Sequence, residues 1–142
     1  MDLDEVVNGY IDAMLWAEPA RDFNADPDDD TAFDSAGFDR ESLTDGARQS
    51  IETDCRKFID TNADDLAEYA ERRAFSRHDG TVAEHAGHDF YLTRQGHGVG
   101  FWDRDLDALG DRLTIACDSF GETYAFATTN DLETARVEVE GG

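Results

Sequence analysis

Three of the four histidines, two aspartates and two arginines fall in one window, residues 85–104, HAGHDFYLTRQGHGVGFWDR. These residue types at this spacing offer three kinds of chemistry. His85, His88 and Asp89 could hold a divalent metal, since imidazole nitrogens and carboxylates are its usual ligands. His88, Asp89, His97 and Asp103 could serve acid–base or metal-assisted chemistry on a phosphate ester, with Arg94 or Arg104 on the phosphate. Alternatively the window could bind a protein, because it joins arginines to the aromatic pairs Phe90-Tyr91 and Phe101-Trp102.

Geometry separates these options. The runs DFYLTR and VGFWD on either side of Gln95-Gly96-His97-Gly98 predict a β-hairpin over 89–103. A straight hairpin places His88 at its open end and His97 at its turn, roughly 20 Å or more apart at about 3.3 Å per residue. Two histidines so placed share no metal at a Zn–N distance of about 2.1 Å. His85 and His88 remain as loop neighbours, with Asp79 or Asp89 beside them, a sparse ligand set. Ser76 and Ser119 sit in no nucleophile elbow, and the glycines of GHGVG open no helix, so no triad, dinucleotide fingerprint or phosphate loop is present. The expectation is a contact surface without a cofactor.

Strand alternation puts Phe90, Leu92, Val99 and Phe101 on the core face. It puts Tyr91 and Trp102 on the other, flanked by an Asp89–Arg104 pair, unless helix layers bury both faces. The binding residues expected are therefore Tyr91, Arg94, His97, Trp102 and Arg104. His97, between two glycines, serves the turn or hydrogen-bonds back to a carboxylate.

The remaining elements must carry this window. Leu3, Val6, Val7, Tyr10, Ile11, Met14 and Leu15 follow helical spacing, so 3–17 is a helix capped by Asp2 and ended by Pro19. Residues 18–40 form an acidic connecting loop pinned by Phe23, Phe33 and Phe38; its run Asp26–Asp30 lacks the glycine and distal glutamate of a calcium loop. A long helix follows over 43–73, capped by Ser42 and broken near Thr61-Asn62. A polar loop spans 74–88. A helix over 105–119 stops at Gly121, and two strands, 122–128 and 135–140, turn at Asn130-Asp131. The order gives one α+β domain over 1–142, with amphipathic helices packed on a small antiparallel sheet of two hairpins.

The chain carries 34 acidic against 12 basic side chains in 142 residues, a net charge of -22. That balance excludes a basic nucleic-acid footprint, so no direct nucleic-acid binding is expected. It equally excludes a membrane-surface helix with a Lys/Arg face, and no apolar run reaches the roughly 18 residues of a membrane span. The acids are 23 Asp to 11 Glu, and Lys57 is the sole lysine. This bias points to salt adaptation, in which a Debye length of about 3 Å or less screens the self-repulsion. The sharper reading is a mimic of DNA whose carboxylates stand in for phosphates. Cys55 and Cys117 lie in apolar helical patterns and read as buried free thiols. The acidic start MDLDEVV carries no basic leader region, so a cytoplasmic protein is expected.

The window 85–104 is neutral, two acids against two arginines, in a chain of charge -22. Its motif, GHDF-aromatic-LTR-x-GHG-x-GFWDR, resembles small uncharacterised proteins of bacteriophages and proviruses, and the likeness extends over about residues 42–127. With the halophile-like composition, the resemblance implies a haloarchaeal virus or provirus protein and carries no catalytic residues. The function expected is a viral accessory protein acting by protein–protein contact, as an inhibitor of a host nucleic-acid or defence enzyme. The alternative is a small metal-dependent phosphate-active enzyme. The protein partner is unidentified, and an exposed Tyr91/Trp102 patch would equally suit a homodimer.

Overall fold

A computed structural model of the chain describes residues 1–26, 28–73, 80–97, 100–101 and 106–141. Five helices surround one another and a two-stranded antiparallel sheet: α1 (Leu3–Ala17), α2 (Asp45–Thr61), α3 (Ala63–Arg73), α4 (Val82–Arg94), α5 (Ala108–Asp118), β1 (Thr123–Ala127) and β2 (Val137–Gly141). The class is α+β, as the order of patterns predicts. The sheet has one hairpin among the described residues rather than two.

Local chemistry sets the helix ends. Asp2 caps α1 by accepting from the Glu5 amide at 3.2 Å. The expected cap of α2 at Ser42 lies instead at Thr44, whose Oγ1 accepts from the Ala47 amide at 3.0 Å; Ser42 closes a single 3-10 turn, Arg40–Ser42. The break after Thr61 falls where expected. Asn62 leaves helical geometry, and its side-chain amide donates to the Phe58 carbonyl at 2.9 Å, taking the place of a backbone donor.

The largest correction concerns 82–94, which is one helix where a polar loop was expected up to 88 and a strand from 89. Thr81 and Glu84 form a reciprocal capping box at its start. Its end is a Schellman closure: the Gly96 amide donates to the Thr93 carbonyl at 3.1 Å and the His97 amide to the Leu92 carbonyl at 3.0 Å. Gly96 takes φ +72, the left-handed value such a closure needs. The Gln95-Gly96-His97 run that resembles a hairpin turn is thus a helix stop.

Helix α4 is buried on all sides at its C-terminal end: Phe90, Tyr91 and Leu92 are at most 1% exposed. Each such side chain stabilises by about 1.5–3 kcal/mol when fully buried. Phe58 of α2 stacks on Phe90 at 4.3 Å between ring centres. Against α1 the helices meet backbone to backbone. A β-carbon on Gly87 would lie 1.9 Å from the Val6 carbonyl oxygen, and one on Gly9 1.8 Å from that of Glu84. Only reciprocal glycines permit that approach.

The acidic connection is held as expected. Phe33 and Phe38 are buried, and Phe38 meets both Phe23 and Phe33 edge-on at 5.0 and 5.4 Å. In the sheet, Ala125 pairs with Val139 and Ala127 with Val137. Ala125, Ala127 and Val137 face the core while Tyr124 faces out. Both cysteines are buried and unpaired. No helix among the described residues is long and apolar enough to cross a membrane.

Candidate functional site

The helical form of 82–94 redistributes the residues predicted to carry function. Arg94 is 3% exposed. Its guanidinium donates to the Gly121 carbonyl (2.9 Å), the Phe120 carbonyl (3.1 Å), the Tyr10 hydroxyl (3.2 Å) and the Asp54 carboxylate (2.8 Å). It also lies 5.6 Å from the Phe90 ring centre and 5.4 Å from that of Phe120. Burial pushes the Tyr10 hydroxyl up to about 12, against the pull of Arg94, so it stays neutral while accepting from the guanidinium.

Asp89 is fully buried and accepts from the Tyr69 hydroxyl at 2.9 Å. Tyr91 is 1% exposed. A contact surface centred on Tyr91 and Arg94 is therefore corrected: both belong to the interior, because the C-terminal half of α4, residues 89–94, is packed on every face. Trp102, Arg104 and Asp103 lie outside the described residues, as does Asp79.

Among the described residues the metal and phosphate-ester constellations do not assemble. His88 stands beside Trp16 of α1, with ring centres 6.1 Å apart. Asp89 turns inward to Tyr69, and His97 turns to Glu18. Among the described residues no three His, Cys, Asp or Glu side chains converge on a metal-sized site, and the set His85, His88 and Asp89 is divided between surface and core.

His97 does reach back to a carboxylate. Its Nε2 lies 3.2 Å from Glu18 Oε1, at the cap of α1. Glu18 is 5% exposed, and Arg21 donates to its other oxygen at 3.1 Å. Burial pushes the Glu18 carboxyl up, but hydrogen bonds from Tyr91, His97 and Arg21 outweigh it, so the net shift is below the ordinary glutamate value. Burial, then the Glu18 charge, pushes the Tyr91 hydroxyl far up. Glu18 thus ties the ends of α1 and α4 together. Arg21 continues the cluster outward, its guanidinium 4.8 Å from the ring centre of the exposed Tyr124.

Sequence reasoning missed Glu18, Tyr10, Asp54 and Tyr69, the partners of the motif residues, since none shares a spacing with them. It also passed over Trp16, which is 58% exposed. A signal for Trp16 existed: a large aromatic off the apolar stripe of an amphipathic helix.

The acids behave differently from the motif. Among the described residues Glu18 and Asp89 are the only buried ones, and the remaining carboxylates reach the surface from every helix and from the connection 18–40. No family model, curated protein sequence or solved structure matches the chain.

Proposed function

We propose that the chain is a non-enzymatic acidic accessory protein that binds, through its carboxylate surface, a protein partner with a basic, nucleic-acid-gripping face. The observation that carries this reading is the division of labour among charged groups. Among the described residues of the neutral window, Asp89 and Arg94 are spent on internal contacts and His97 on Glu18, while the described acids other than Glu18 and Asp89 reach solvent. A dense field of carboxylates steers a positively charged partner and competes with polyanions for it. The likeness of the window to phage proteins supports a viral or proviral accessory role. The buried thiols Cys55 and Cys117 support a reducing, cytoplasmic setting.

The test is a panel of nucleases and restriction enzymes assayed with excess purified chain, at the lowest salt where the chain is folded by circular dichroism. The expected result is dose-dependent inhibition of at least one member, relieved by more substrate DNA. Unchanged rates across the panel at saturating chain would count against the reading. If such a chain also unfolds on dialysis below roughly 0.5 M salt, where the Debye length lengthens, its acids serve solvation alone.

A further inference from the structure

We infer that the outer seam of α1 and α4 is a docking face for an arginine-bearing segment of a protein partner. This rests on the acidic-binder reading and adds to it the place and the chemistry of contact. Among the described residues exposed large apolar side chains are few, and Trp16 is the one aromatic more than half exposed. It projects from the last turn of α1 beside the His88 ring of α4, forming a surface aromatic pair. Tryptophan is among the residue types that most often dominate binding energy, and its face is the best aromatic platform for a cation.

One turn earlier on each helix stand Asp12 and Glu84. Arg40 lies across them, bidentate on Asp12 through Nε (2.8 Å) and Nη2 (2.6 Å), with Nη2 3.7 Å from Glu84. The fold therefore already seats one guanidinium on this face. Beside it opens a cleft of about 430 Å³. The cleft lies between α1 and residues 34–41: the buried Leu15 and Phe38 form its apolar floor, Asp12 and the Arg40 it binds form one wall, and the exposed Asp34, Asp39 and Glu41 leave the rim net acidic. An apolar floor under a carboxylate rim matches an arginine side chain, whose methylene stem seeks cover while its planar fork binds carboxylates in pairs. Lysine, a strongly hydrated point charge, matches it less well.

The probe is a synthetic peptide of alternating arginine and leucine, titrated into the full chain by calorimetry under the folding salt condition. Wild type is expected to bind it one to one, and more tightly than the corresponding lysine–leucine peptide. Trp16→Ala and the double variant Asp39→Asn/Glu41→Gln should each weaken binding about tenfold or more, the scale of a hot-spot loss. The charge-matched control Asp60→Asn/Asp64→Asn, on α2 and α3, should change it by less than about twofold, as expected for surface charges off the contact. Equal losses in both charge-neutralised variants, with none for Trp16→Ala, would overturn the seam while leaving the acidic-binder reading intact. No binding by wild type would also overturn it, with the enzyme panel still deciding the broader reading. Self-association of wild type that Trp16→Ala abolishes would assign the face to a second copy of the chain and overturn it likewise.

Discussion

Gly87→Ala is expected to lower the melting temperature by more than about 10 °C, from a loss of about 3 kcal/mol or more in a domain of this size. The added β-carbon would fall 1.9 Å from the Val6 carbonyl oxygen and 2.9 Å from the Tyr10 amide nitrogen, both backbone atoms of α1. No side chain can swing aside to make room. The helices must separate, and their separation loosens every apolar contact along the seam, including Tyr10 against Phe90 and Tyr91 at 5.5 and 4.9 Å. Overpacking alone costs about 1–3 kcal/mol, and the lost seam contacts add to it. Gly46→Ala is the matched control. Its β-carbon would meet only Thr44 Oγ1, at 4.0 Å, in the first turn of α2. There alanine is expected to be neutral or stabilising by up to about 1 kcal/mol, the helix-propensity gain. Thermal unfolding of the two variants side by side checks the pair.

Arg94→Met ranks second, with an expected loss of about 3 kcal/mol, within the range for removing one partner of a buried ionic network. Methionine keeps the apolar stem against Phe90 and Phe120 but supplies no donor. The Gly121 and Phe120 carbonyls, the Tyr10 hydroxyl and Asp54 would all lose a partner together. Asp54 is 29% exposed at its side chain and can be rehydrated, which keeps the loss below that of a fully enclosed pair. Arg94→Lys is expected to recover little, because a single ammonium cannot span four acceptors arranged for a planar fork. Denaturant midpoints of the two variants should therefore lie close together and well below wild type.

Both sites lie in the window that the sequence marks as unusual, and its meaning differs from the one the pattern suggests. The amphipathic helices α1, α2 and α5 were legible because one face of each is apolar and their caps or stops, Asp2, Asn62 and Gly121, are short-range signals. The hairpin of β1 and β2 was legible from the alternation of Val137 and Val139. Helix α4 was not. Its residues 89–94 are all buried, so no stripe distinguishes helix from strand, and the β-prone Phe90, Tyr91 and Thr93 tilt the reading. The capping box of Thr81 and Glu84 was the local clue to its start. The candidate contact face was less legible still. Trp16 and His88 are 72 positions apart in the chain and meet only because Gly9 and Gly87 let α1 and α4 touch. The run 89–94 carries one acid and one arginine because it is buried: a segment packed inside the fold gains nothing from surface carboxylates.

Amide hydrogen exchange over residues 82–94 of the wild-type chain tests most directly that this window is the buried helix holding the fold together. Phe90 to Arg94 are predicted to be among the slowest amides of the chain, protected in one unbroken run and exchanging only through global unfolding. Rapid exchange there, or the alternating fast and slow amides of a hairpin strand at a sheet edge, would contradict it.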